Sequence, residues 1–95
     1  SFRRMKKPAT AAEKAYMGKV ASLPCAACGS FGVQVHHIRE TYGTSQRAPN
    51  SLTIPLCVQC HTGSLSIHAT PKQFKAIYGS EMKMLAETIL KVSML

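Results

Sequence analysis

Two pairs of cysteines, Cys25-Ala26-Ala27-Cys28 and Cys57-Val58-Gln59-Cys60, share the C-x-x-C spacing. Two intervening residues let both thiolates of a pair reach one tetrahedral ion at about 2.3 Å. Gly29, directly after the first pair, suits the tight backbone of such a knuckle. Four thiolates fill the coordination sphere of zinc, so Cys25, Cys28, Cys57 and Cys60 predict a structural Zn²⁺ site with no position open to chemistry. A centre of this kind contributes on the order of 10 kcal/mol to folding. The competing reading is a disulfide framework. Four cysteines would allow three connectivities, and none of them gives the histidines a role.

All four histidines, His36, His37, His61 and His68, fall within the stretch from Cys25 to His68 that also holds every cysteine. Taken singly, each reads as a surface or hydrogen-bonded core histidine; the set is what points to a site. An imidazole titrates near neutrality, so it can serve as a base or as a metal ligand at physiological pH. His36 and His37 are neighbours on a short β-branched run. Neighbouring strand residues point to opposite faces, so an ideal strand would not aim both at one site, whereas a distorted or bulged one could. The chain has no Asp, and Glu40 is the only acid between the knuckles. That argues against a carboxylate-caged two-metal centre.

The elements that must position these residues follow from local pattern. Thr10-Ala11-Ala12-Glu13 fits a capping box that opens a helix running to about Ser22, and Pro24 stops it. Val33 to Ile38 reads as a strand behind Gly29 and Gly32. Arg39 to Asn50 is polar, with Gly43 and Pro49, and reads as a loop. Leu52 to Leu56 is a second strand, which Pro55 restricts to an edge or an end. A helix starting near Cys57 carries His61. Thr70-Pro71 supplies a capping hydroxyl and a Pro at the first helical position of another, with Phe74, Ile77 and Tyr78 on one face and Gly79 at its end. Ser80 opens a last helix, whose stripe of Met82, Leu85, Ala86, Ile89 and Leu90 is expected to face the core. Residues 1–9 read as a basic arm and residues 10–95 as a single domain.

At this point the chain resembles a known family. His36-His37-Ile38, then Asn50, then Leu56-Cys57-Val58-Gln59-Cys60-His61 is similar to the HNH pattern of the ββα-metal, or His-Me finger, endonucleases. Arg47-Ala48-Pro49 before Leu52-Thr53-Ile54-Pro55-Leu56-Cys57, with Ile67-His68, Phe74 and Tyr78-Gly79, looks closer still to the phage recombination enhancement function, or RecA-dependent, nucleases. The likeness spans roughly residues 10 to 90. It implies an α+β fold: a small zinc-stabilised ββα-metal finger with an N-terminal helix and C-terminal helices. It also implies roles. His37 matches the general base and His36 the metal-binding position before it. His61 matches the closing metal ligand, and His68 a further ligand supplied by the same helix in some members. Asn50 matches the middle Asn, here expected to brace the base rather than touch the ion. Gly63 departs from the pattern by interrupting that helix, although His61 and His68, seven residues apart, could still share a helical face. The catalytic ion implied is Mg²⁺, Mn²⁺ or Zn²⁺.

Charge points the same way. Twelve Lys and Arg against four Asp and Glu give a formal charge of +8, which favours a polyanionic partner. Arg3, Arg4, Lys6 and Lys7 in the arm, with Arg39 and Arg47 around the loop, are the expected DNA contacts. No stretch is apolar enough to span a membrane, and the basic N-terminus is not followed by the apolar region of a secretory signal. A cytoplasmic, reducing setting is therefore expected, which favours metal ligation over disulfides. The RecA-type filament as a partner rests on the resemblance alone. Three classes of function stand: a metal-dependent DNA endonuclease, a non-catalytic zinc-stabilised DNA-binding module, and a zinc-stapled protein-interaction domain.

Overall fold

Thr10 starts the first helix as its sequence predicts. Its hydroxyl accepts the Glu13 N–H at 3.1 Å, and the Glu13 carboxylate accepts the Thr10 N–H at 2.9 Å, so the capping box is complete. The resulting helix α1 (Ala11–Ala21) precedes strands β1 (Val33–His37) and β2 (Thr53–Cys57), then helices α2 (Val58–Thr62), α3 (Pro71–Tyr78) and α4 (Glu81–Ser93). This computed structural model describes residues 9–39 and 49–95. Arg3, Arg4, Lys6, Lys7 and Arg47 lie outside the described residues, as does most of the expected loop. Among the described residues the chain is a small mixed α/β domain, with four helices and a two-stranded sheet. None of those helices is long and apolar enough to cross a membrane.

The strands pair antiparallel, with Val33 opposite Cys57, Val35 opposite Pro55 and His37 opposite Thr53. One residue faces one residue throughout, so the ladder has no bulge. Pro55 sits mid-strand because its pair is one that exchanges no hydrogen bonds; its carbonyl turns outward and accepts the Ala26 N–H at 2.8 Å. Both strands of a two-stranded ribbon are edges, so the missing Pro N–H breaks nothing.

The ribbon is covered on both faces, which is why every residue of β2 is buried. On one face Ile54 and Leu56 pack with Phe74, Met84 and Leu85. On the other, Val35 and Tyr16 pack against the buried trio Val20, Leu23 and Val92. The core face of α4 differs from the expected stripe. Met84, Leu85, Thr88 and Val92 turn inward, while Met82, Ile89 and Leu90 are exposed. The helix rotates so that Glu81 can enter the interior and bring Met84, Leu85, Thr88 and Val92 with it at helical spacing. Ile77 of α3 is likewise exposed, and only Phe74 of that helix is buried.

Two caps behave differently from one another. Ser80 caps α4 by accepting the Lys83 N–H at 3.1 Å. Thr70 makes no such bond to α3; its hydroxyl instead accepts the Ser66 N–H and donates to the Ser66 carbonyl. It closes the turn that carries His68 rather than the helix that follows.

Candidate metal centres and the histidine site

The first knuckle is shaped by backbone. Cys25 N–H donates to the Ser30 carbonyl at 2.8 Å, and Gly29, at φ +83°, returns its N–H to the Cys25 carbonyl at 3.0 Å. That left-handed backbone suits Gly. The N–H groups of Ala27 and Cys28 approach the Cys25 sulfur at 3.4 and 3.5 Å. The second knuckle begins at the last residue of β2 and continues into α2, where Cys60 is buried. Pairing of β1 with β2 carries the two knuckles together.

The four sulfurs lie within 4.8 Å of one another. Cys28 Sγ and Cys57 Sγ are 3.6 Å apart, close to the about 3.8 Å edge of a tetrahedron built on 2.3 Å bonds. No described cysteine is in a disulfide. Hydrogen bonds from Ser30 lower the Cys28 thiol to about 6. Burial, with the thiols of Cys57, Cys28 and Cys25 around it, pushes Cys60 far up. Crowded thiols resist the last deprotonation unless a cation compensates for the charge. The four cysteines are thus positioned to bind a metal ion, and the donor set is compatible with structural zinc.

A second cluster lies on the ribbon face that carries Ile54 and Leu56, opposite which His36 and Gln34 are paired. Strand alternation puts Gln34 and His36 on the face that meets α2, and both reach His61. His36 Nδ1 is 3.2 Å from His61 Nε2, and His68 Nε2 is 3.1 Å from the same atom. Three imidazole nitrogens thus converge within 4.8 Å. His68 does not share α2 with His61, although the seven-residue spacing would have allowed it. The helix ends at Thr62, and a Cβ on Gly63 would stand 2.5 Å from the Gln59 carbonyl oxygen. The chain instead folds back, tied by Ile67 N–H to the Cys60 carbonyl at 2.9 Å, and that turn presents His68.

The outer nitrogens of two rings are fixed. His36 Nε2 lies 2.6 Å from Glu81 Oε2, and His61 Nδ1 lies 2.7 Å from Gln34 Oε1. An acceptor behind each ring puts the proton on the far nitrogen and leaves the lone pair facing the cluster, as in metal-ligating histidines. Burial, then the charges of His36 and His68, pushes His61 down to about 4, so it is neutral at physiological pH. Burial first, then His36 and Arg39, also lowers His68, against a raising influence of Glu81. His68 Nδ1 faces an Arg39 guanidinium nitrogen at 3.3 Å, a donor rather than an acceptor. Ligation through His68 Nε2 would therefore require Arg39 to turn away.

His37 goes the other way. With no bulge in the ladder, its ring leaves on the opposite face from His36, at the last residue of β1. There Asn50 Oδ1 stands 2.8 Å from His37 Nε2, while Asn50 Nδ2 reaches Glu13 Oε1 at 3.5 Å. The Glu13 contact orients the amide so that its oxygen meets the ring. An acceptor at this position favours the tautomer of His37 that has its N–H at Nε2.

The structure therefore joins the four predicted cysteines, joins His36 with His61 and His68, and joins His37 with Asn50. Sequence reading missed Glu81, Gln34 and Glu13. Glu81 is 8% exposed and one of only four acids in the chain, and scarcity was its one signal. An acid in the first turn of a helix is otherwise ordinary.

No curated protein matches this chain. Residues 1–95 match the family described as "Protein of unknown function (DUF968)", and the chain belongs to that family.

Proposed function

We propose that this protein is a metal-dependent DNA endonuclease of the HNH type, hydrolysing phosphodiester bonds with His37 as general base. The observation that carries the reading is the convergence of His36, His61 and His68, with the next residue of β1, His37, held by Asn50 at the end of that strand. A phosphodiester lying across the end of β1 would meet both sets of groups. His37 Nδ1 would take a proton from a water as its oxygen forms a bond to phosphorus, and the bond to the 3′ oxygen breaks. Asn50 holds the ring in the tautomer this requires. A divalent ion held by His36, His61 and His68 would supply Lewis-acid stabilisation of the phosphate and the departing oxygen. Arg39, released from His68, would contact phosphate. Similarity to the recombination enhancement function nucleases extends the proposal to a phage recombination setting in a bacterial cytoplasm, with a RecA-type filament as partner.

The second reading is a zinc-stabilised module that binds DNA without cutting it, favoured by the charge of +8. Incubation of supercoiled plasmid with wild-type protein and Mg²⁺, Mn²⁺ or Zn²⁺ separates the two. The nuclease reading expects nicking that a His37→Ala variant loses by at least about 100-fold, the lower end of what a general base contributes. Equal background from the two proteins, with salt-sensitive DNA binding retained by both, would leave the binding module.

A further inference from the structure

Three contacts run in one line through the imidazole cluster. Arg39 faces His68 Nδ1 at 3.3 Å, His68 Nε2 faces His61 Nε2 at 3.1 Å, and His61 Nδ1 faces Gln34 Oε1 at 2.7 Å. The direction of donation is fixed from both ends. A guanidinium has donors and no acceptor, so His68 Nδ1 must accept. Burial holds the His68 pKa below 6.5, so the ring is neutral at physiological pH. A neutral ring that accepts at Nδ1 carries its proton on Nε2, which here points at His61. The Gln34 oxygen accepts at the other end, so His61 donates from Nδ1 and receives the His68 proton on Nε2. As arranged, His36 and His61 turn lone pairs into the cluster, and His68 turns a proton into it.

We propose that Arg39 is a positioning residue that ties the third metal ligand to the substrate: a DNA phosphodiester draws the guanidinium off His68, and His68 Nε2 then joins His36 and His61 in holding a divalent ion. To ligate, His68 must offer a lone pair at Nε2 and carry its proton on Nδ1, the nitrogen that Arg39 now occupies. Exchange with solvent makes the change, one proton leaving Nε2 and one arriving at Nδ1, with no change in the charge of the ring. Arg39 and His68 are both exposed, so a phosphate can reach their contact. An Arg–phosphate pair is charge-assisted and bidentate, and so stronger than a single bond to a neutral ring nitrogen. The Arg39 N–H is held by Glu81 Oε1 at 2.9 Å, which gives the side chain a fixed pivot. DNA and the ion then strengthen each other's binding by one common factor, because both favour the arrangement with Arg39 turned outward. The identity of the phosphate as a substrate rests on the nuclease reading; the coupling itself does not.

The test reads ion affinity and needs no turnover. Protein with zinc at the cysteines and the His37→Ala change, which keeps DNA uncut, is titrated with Co²⁺ with and without a short duplex, followed by visible absorption. The duplex should tighten Co²⁺ binding at least about tenfold, within the usual range for coupled sites. Co²⁺ should tighten DNA binding by the same factor, a comparison that requires no change at Arg39. Adding Arg39→Met should tighten Co²⁺ binding in the absence of DNA and cut the gain from DNA to less than about threefold, because the duplex then acts only through its general charge. Unchanged zinc content and melting temperature show that this variant is folded; should it not fold, the reciprocal titration and the ring spectra decide. Imidazole ¹⁵N spectra of the protein alone should show the His68 proton on Nε2. A proton on Nδ1, equal gains from DNA with and without the Arg39 change, or Co²⁺ affinity indifferent to DNA in the parent would overturn the proposal. Plasmid left intact by protein with an unaltered His37 removes the nuclease reading, while the titrations still decide the coupling.

Discussion

His36 Nε2 lies 2.6 Å from Glu81 Oε2, although 45 residues separate the two in the chain, and both side chains are almost wholly buried. The other Glu81 oxygen accepts the Arg39 N–H at 2.9 Å. One carboxylate at the start of α4 thereby fixes a ring on β1 and the backbone just beyond it. A Glu81→Gln substitution keeps the size of the side chain but loses one acceptor. Binding of Mn²⁺ or Co²⁺ at the imidazole cluster should weaken about 10- to 100-fold, as for other partners behind metal-binding histidines. Isothermal titration checks this, with the zinc content of the cysteine site as an internal control that should not change. Unchanged Mn²⁺ affinity would mean that the contact holds α4 in place and nothing more.

The cysteine centre is expected to support folding itself. Elemental analysis should find one tightly held zinc per chain. Cys60→Ala should abolish it and leave a chain without cooperative thermal unfolding, since a structural zinc contributes on the order of 10 kcal/mol. Three of the four sulfurs are buried in or beside the core, so the centre and the fold are not separable. A variant that melts like wild type after losing its zinc would contradict this.

His61 gives a pH signature with a definite sign. Its folded-state value is lowered to about 4 from 6.5, so between those limits the unfolded chain binds more protons than the folded one. Stability is then complete above about pH 6.5 and falls as pH drops towards 4. The ring is partly open to solvent, so the loss is on the order of 1 kcal/mol after screening is allowed for. His61→Gln should remove this increment. Denaturant melts of the two proteins across that window, in buffer free of divalent ions other than the bound zinc, isolate it, because acid release of zinc is common to both. Parallel pH profiles would refute the assignment.

Asn50 should matter through His37 alone. Asn50→Ala removes the acceptor at Nε2 and frees the ring to take the other tautomer. Nicking should fall by roughly 10- to 100-fold, with Mn²⁺ affinity at His36, His61 and His68 unchanged. A matched fall in metal affinity would show that Asn50 belongs to the metal set instead.

Local pattern was enough for much of this fold. The capping box at Thr10 and the serine before Glu81 need only neighbours three residues away. The C-x-x-C spacing marks a metal knuckle because two thiolates that close in sequence must also be close in space. What the sequence did not carry was the direction of side chains on elements whose rotation is set elsewhere. Of the expected stripe Met82, Leu85, Ala86, Ile89 and Leu90, only Leu85 is buried, and the less apolar line of Glu81, Met84, Thr88 and Val92 faces inward with it. Glu81 finds His36 and Arg39 there, and Thr88 returns its hydroxyl to the Met84 carbonyl at 2.8 Å, so those polar groups are satisfied in place. Likewise the split of His36 and His37 to opposite faces followed from strand alternation, but which face met α2 and which met α1 depended on how the ribbon packed. Sequence alone determined the cysteine knuckles and the element order, because both depend on short-range geometry. Tertiary structure decided the partners behind each imidazole, because those hydrogen bonds join residues from different elements and leave no periodicity to read.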